Sequence, residues 1–290
     1  MEKRVFLCQR IPSPPLLSSR LPFASLLPEK NFELKMRFTK GDVGAFFDSR
    51  TTPADLLSER TRLLENDGDR YWALASEGEE LLEETIQLAG DLDTISPFDF
   101  SPLSPREKCR ALGRLWEADY LLMKPDLQGV FRLYGGCVCF PSHWDLGSKM
   151  NRPMASIHGP VPGLNDALGR QIDGFLGKIK PGISWERGNW GLCRSPDRNL
   201  HPHLDFPRLD ETVTLDEVWW RLEEQSLVSL PKSGGILFGI KLVIRPLSEL
   251  KAHREARLGL VSAIETMSDE MAAYKGILPA RERLLALLST

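Results

Sequence analysis

EVWWRLEEQSLVSLPKSGGILFGIKLVI, residues 217–244, decides the fold. Its second half places Ile236, Phe238, Ile240, Leu242 and Ile244 at alternate positions, the period of a strand with one face set against a core. Its first half, 217–230, is strand-like and stops at Pro231. The turn at 232–235 carries two glycines. Together they predict a hairpin of two long antiparallel strands. Arg221, Glu223 and Gln225 then share one face of the first strand, because side chains two apart point the same way.

Upstream, 183–192 (ISWERGNWGL) reads as another strand, with Arg187 and Asn189 on a common face. An arginine and an amide so placed can hold a carboxylate. An exposed salt bridge is the alternative reading, and for Arg221 and Glu223 a cross-strand ion pair. Before that strand, Leu168, Ile172, Phe175, Leu176 and Ile179 recur at helical spacing, from a cap at Asn165 to a stop at Pro181-Gly182. Further back, the pattern predicts a hairpin over 130–140 turning at Gly135-Gly136 and a helix over 105–123. It also predicts helices over 53–65 and 77–89 and a short strand over 32–38. Downstream, a helical region follows Pro246, with Leu260, Ile264, Met267 and Met271 on one face, and a tail helix spans 280–288. No βαβ unit repeats. The expected class is α+β, an antiparallel sheet with flanking helices gathered on one side.

The 290 residues suffice for one large domain, and 42% hydrophobic with 27% charged residues is an ordinary globular balance. A net charge of -3 gives no reason to expect a nucleic-acid partner. No apolar run reaches bilayer length, so no membrane span is expected. Five cysteines, an odd number thinly spread, suit a reducing, cytoplasmic setting without a disulfide framework. Residues 1–30, rich in proline and serine and broken by arginines, read as a disordered leader rather than a secretory signal. Residues 31–290 are then a single domain.

One stretch is shaped for a site rather than for packing: CVCFPSHWDLGSKMNRPMASIHGPVP, residues 137–162. His158 sits before Gly159 and Pro160, in a backbone that fixes an imidazole in one orientation. A single histidine suits a haem axial position, since the porphyrin supplies four nitrogens. A hydrogen-bonded histidine in a proline turn is the plainer alternative. Lys149 and Arg152 add positive charge nearby. Cys137, Cys139 and His143 are a weaker set, with no obvious fourth metal ligand. His201 and His203 read as surface histidines in a polar loop, and His253 as part of a charged helix face. No Walker loop, GxGxxG, HExxH or CxxC is present.

Several ordered motifs resemble the family of haem-dependent oxidative N-demethylase alpha-subunit-like proteins, over roughly residues 40–276. They are CFPSHWDLGSKM (139–150), IHGPVPG (157–163), ERGNW (186–190), RLEEQSLVSLP (221–231), GGILFGIKLVIRPL (234–247) and YKG (274–276). The resemblance implies a PAS-like core over about 128–245. It further implies a b-type haem and oxidative removal of a methyl group from a small secondary amine such as dimethylamine, by a monooxygenase-type reaction with dioxygen. Electrons would come from a partner reductase carrying FMN and an iron–sulfur centre and drawing on NADPH. The resemblance makes His158 the axial ligand. Arg187, Lys149 and Asn189 become candidates for cofactor binding, and Glu223 and Arg221 candidates for catalysis, Glu223 by holding a protonated amine. A haem- or small-ligand-binding PAS-like sensor is the alternative from another functional class. The chain departs from the family pattern at three places. Glu224 stands where an arginine is expected, Ala118 where a carboxylate is, and Asn151 where a glycine is.

Overall fold

The computed structural model describes residues 26–27 and 31–289. Seven strands form one antiparallel sheet: β1 (Thr39–Gly41), β2 (Trp72–Leu74), β3 (Asp119–Pro125), β4 (Phe131–Cys137), β5 (Ser184–Cys193), β6 (Trp219–Leu230) and β7 (Gly235–Pro246). The order across the sheet is β1-β5-β6-β7-β3-β4-β2. The five central strands, counted in their own chain order, run 2-1-5-4-3, the arrangement of a PAS domain. The expected hairpin is β6/β7, paired from Trp219↔Pro246 to Leu230↔Gly235.

Four helices of the N-terminal half are α1 (Val43–Phe47), α2 (Ala54–Asn66), α3 (Gly68–Tyr71) and α4 (Glu79–Asp91). After them come α5 (Pro105–Leu115), α6 (Met154–His158) and α7 (Leu164–Leu176). Four more close the chain: α8 (Leu247–Ala252), α9 (Arg254–Thr266), α10 (Asp269–Tyr274) and α11 (Arg281–Ser289). Ser104 caps α5 in a full capping box with Glu107, and Pro105 takes the first helical position.

Helices lie on both faces of the sheet, not one. On one face, Val228 and Leu237 pack with Phe46, Phe47, Leu64, Leu81 and Leu112 of the N-terminal helices. Further along the same face, Trp190, Leu192, Trp220 and Leu222 pack with Leu260, Ile264, Met271 and Leu284 of the C-terminal helices. Gly239 lets this packing close: a Cβ there would meet the Phe47 ring at 2.5 Å. On the other face, Leu121, Met123, Leu133 and Leu227 pack with Leu176, beside Ile157 and Ile172. That second core leaves much of β5 and β6 uncovered by apolar side chains, and the site lies there.

Three expectations are corrected. The helix expected over 105–123 ends at Leu115, and its last residues are the strand β3. Tyr120, Leu121, Leu122 and Met123 are buried on both sides of the sheet, and such a continuous apolar run has no strand-like alternation to read. The hairpin expected over 130–140 is one strand. The turn falls earlier, where Asp126 accepts from the backbone of Gln128 and Val130, so β3 and β4 form the hairpin. Gly135 and Gly136 lie inside β4 because Cβ atoms there would strike Leu74 and the Tyr120 carbonyl. Residues 32–38 form no strand, and sheet pairing begins at Thr39. Most of the expected leader lies outside the described residues. Leu26 and Leu27 are buried against the C-terminal helices.

Candidate functional site

A cavity of about 710 Å³ opens between the sheet and α6–α7, within the ~300–1,000 Å³ of small-molecule and cofactor sites. Its floor is the odd-numbered face of β5 and β6, continued by Phe238 and Ile240 of β7. Ile157, Val161, Leu164 and Ile172 form an apolar roof. Residues 31–37 run along one side as a strap, anchored where the Phe32 amide donates to Thr266 Oγ1 at 2.7 Å. The segment after β4 and the end of α10 close the rest.

His158 is the last residue of α6 and lines this cavity. Pro153 caps the helix at φ -68 and Pro160 follows, so the helix is held to little more than one turn. The half-buried imidazole makes no hydrogen bond to any described residue. Burial pushes its pKa down, reinforced by the Arg187 and Lys149 charges and opposed by Asp173. At neutral pH the ring is therefore uncharged, with a nitrogen lone pair free to bind.

Arg187 projects from β5 into the same space. Its guanidinium lies 5.8 Å from the Phe38 ring centroid and has no hydrogen-bond acceptor among the described residues. Desolvation lowers its pKa, partly offset by Glu223. Lys149, on a 3-10 turn, also lines the cavity with no side-chain partner among the described residues. Asn189, across the ladder from Glu223, donates to Glu223 Oε2 at 3.2 Å, and Gln225 donates to the same oxygen at 3.0 Å. Two neutral amides fix that carboxylate from one side, and Oε1 accepts nothing from the described residues.

Arg221 lines the cavity but is committed elsewhere. It is 3% exposed, and its guanidinium donates to the carbonyls of Asp197 and Arg198 at 2.6 and 2.8 Å and to Ser142 Oγ at 3.4 Å. It fastens the 194–210 loop to the sheet. All six residues singled out from the sequence thus meet at one cavity, four of them with unspent or half-spent polar groups.

Two more residues line the cavity: Lys275, which the sequence reading does not name on its own, and His143, which it names only within the weak cysteine set. Lys275 donates to the Trp190 carbonyl at 2.7 Å and stacks over the Trp190 ring at 4.6 Å. Burial lowers its pKa to about 8, against the pull of Glu223. Its signal was the YKG element, which carries a lysine at a helix end. His143 adopts a left-handed backbone at φ 63, and its Nδ1 lies 3.3 Å from Arg208 Nη1. Desolvation and the charges of Arg208 and Arg221 hold its pKa at about 4. The weaker set of Cys137, Cys139 and His143 does not assemble: the two thiols are buried in the core 3.9 Å apart, while His143 lines the cavity. Among the described residues no group of three or more His, Cys, Asp or Glu is placed to hold a bare metal ion.

The three departures fall away from the cavity wall. Glu224 points to the opposite face of β6 from Glu223, buried at 4% exposure and paired in register with Lys241. Ala118 is packed in the apolar core. Asn151 adopts φ 61, the left-handed conformation that glycine takes freely and asparagine tolerates best among the rest. It preserves the turn that glycine would make.

The site is a cavity under a PAS-like sheet, lined by an apolar roof, a histidine without a hydrogen-bond partner among the described residues, and more cationic than anionic side chains. Residues 70–285 match the model of the family described as haem-dependent oxidative N-demethylase, alpha subunit-like. The chain belongs to that family. None of its described helices is long and apolar enough to cross a membrane.

Proposed function

We propose that residues 31–290 form one haem-binding domain that carries out oxidative N-demethylation of a small, dimethylamine-like secondary amine. The observation that carries this reading is His158, an uncharged imidazole without a hydrogen-bond partner among the described residues, in a cavity of cofactor size. The residues fit a b-type haem. His158 would supply a nitrogen ligand to the iron, and Arg187 and Lys149, without partners among the described residues, would hold the propionates. The apolar roof would suit the apolar body of such a group. When bound, the haem supplies the redox chemistry with dioxygen that opens the amine's C–N bond to water, giving formaldehyde and the shorter amine.

The chain's own residues bind and orient. Glu223 offers Oε1 to the ammonium of the amine, while Asn189 and Gln225 hold Oε2 and so fix the direction of the free oxygen. Arg221 is a positioning residue that holds the loop behind the cavity. Lys275 keeps positive charge close to Glu223 and Arg187 at neutral pH. Electrons would come from a partner reductase with FMN and an iron–sulfur centre, drawing on NADPH. The four described cysteines are free and buried, which suits the cytoplasmic setting of such a reductase.

The test is the absorption spectrum of the purified chain with haem, beside His158→Ala. The wild-type protein is expected to show a haem band, and the variant to lose it while keeping its fold. An unchanged band in the variant defeats the ligand assignment. Dioxygen-dependent consumption of dimethylamine by the reduced, haem-loaded protein tests the reaction. A haem protein that binds dioxygen and leaves the amine untouched is a sensor instead.

A further inference from the structure

The cavity has a polar exit that the reaction as drawn does not use. Asp145 lines the cavity, and its Oδ1 lies 3.2 Å from Nε2 of His201. His201 is 5% exposed. Its other nitrogen, Nδ1, lies 2.8 Å from Nδ1 of His203, whose ring is at the surface. Carboxylate, buried imidazole and exposed imidazole form one unbroken hydrogen-bonded row from cavity to solvent.

The geometry also fixes which way the protons point. The backbone amide of His203 donates to His201 Nδ1 at 3.3 Å. That nitrogen is therefore an acceptor, and it takes the Nδ1–H of His203 as well. With Nδ1 unprotonated, neutral His201 carries its proton on Nε2 and donates it to Asp145, which as a carboxylate can only accept. Every donor in the row faces the cavity. Further contacts hold the two rings in place. The His201 amide donates to Asn199 Oδ1 at 3.0 Å, Asn199 donates to Tyr71 OH at 2.8 Å, and the Tyr71 ring meets both imidazoles edge-on.

We infer that His203, His201 and Asp145 are a proton relay that feeds the cavity from solvent. The inference rests on reading the cavity as the site of an oxidation by dioxygen, driven by electrons from a reductase, which takes up protons to make water. A proton from water joins His203 Nε2, and the Nδ1 proton of His203 passes to His201 Nδ1. The Nε2 proton of His201 passes to Asp145 and from there into the cavity. One proton enters and one leaves. Each ring ends in its other tautomer; His203 resets by exchange with water, and His201 must turn its ring to release the Nδ1 proton and regain one on Nε2 before the next proton passes. The groups around the outer ring are Arg70, Asp67, Tyr71 and His201. Desolvation, reinforced by the Arg70 charge, lowers the pKa of His203, and Asp67 opposes them. A neutral outer ring hands a proton inward without holding it. Asp145 accepts from the amides of Gly147 and Ser148 and from His201, and these bonds hold its pKa low against its desolvation. Its protonated form is short-lived, as the last member of a relay should be.

A mere clasp between the 194–210 loop and the turn after β4 would use the same bonds, so the test must separate the two. His203→Gln does so: the Gln amide still donates to His201 Nδ1 but carries no proton through. In haem-free protein, nitrogen-15 spectra are expected to show His201 protonated on Nε2 and His203 on Nδ1, with coupling across the Nδ1···Nδ1 bond. Exchange of the His201 Nε2 proton with water is expected to slow roughly tenfold or more in His203→Gln. The opposite tautomers, or an exchange rate untouched by the substitution, overturn the relay. In haem-loaded protein the same variant is expected to lower kcat for the amine with KM unchanged, and added imidazole to restore it. A full-speed variant also overturns the relay. A wild-type chain that consumes no amine defeats the proposed reaction, and the relay is then judged on the exchange measurement.

Discussion

Arg60 and Arg187 are both arginines removed from bulk water in the same molecule, and they are handled in opposite ways. Arg60, on α2, is fully buried. Its guanidinium donates to the carbonyls of Gly113 and Glu117 and forms a 2.7 Å pair with Asp119. Asp119 in turn accepts from the amides of Cys139 and Phe140. Arg187, on β5, has an aromatic face at 5.8 Å and no acceptor among the described residues. Leaving such a charge unmatched costs stability, and a site for a charged ligand is what makes that cost useful. Where this protein has matched its charge it has built structure. Where it has left charge unmatched, the cavity of the proposed site stands beside it.

That contrast can be broken by substitution. The largest effect is expected from Arg60→Met, which strands the Asp119 carboxylate and should lower stability by about 3–5 kcal/mol in denaturant unfolding. Next is Gly239→Ala on the packed face, where the new methyl meets the rings of Phe47 and Phe46 and should cost about 1–3 kcal/mol. Arg187→Gln reverses the pattern: stability should change by less than about 1 kcal/mol, while haem is retained more weakly in a titration followed by absorbance. Equal losses of stability for Arg60→Met and Arg187→Gln would erase the distinction. A different kind of effect is a pH slope from Lys275. Its pKa falls from 10.5 when unfolded to about 8 when folded, so between those values the unfolded chain binds more protons. Stability should therefore rise as pH goes from about 8 towards 10.5, and Lys275→Met should flatten that rise.

The sheet was legible wherever one face of a strand is polar. β5, β6 and β7 alternate cleanly, and their register follows from Arg187, Asn189, Glu223 and Ile240 standing on one face. β3 was not legible, because a central strand covered on both sides shows no period that separates it from a helix. The glycines of β4 looked like a turn, and only the neighbouring strands reveal that they make room for close packing. In the site, motif spacing brought out His158, Arg187 and Glu223, which stand on regular elements. His201 looked like a surface residue because its partners come from elsewhere: Asp145 lies upstream across the loop, and Asn199 and Tyr71 complete the surround. A loop's burial depends on what folds over it, and local composition does not report that.

The central seam of the sheet joins β3 to β7, with Asp119 against Ile240 and Met123 against Ile236. The cavity floor is therefore unfinished until the chain has been made past residue 246, and the wall bearing Lys275 comes later still. Such distant partners make assembly slow. During synthesis on the ribosome the helix bearing His158 emerges long before the surface it will face. The ring must wait for the last third of the polypeptide before there is any pocket beside it, so the cavity forms only once those distant segments have come together.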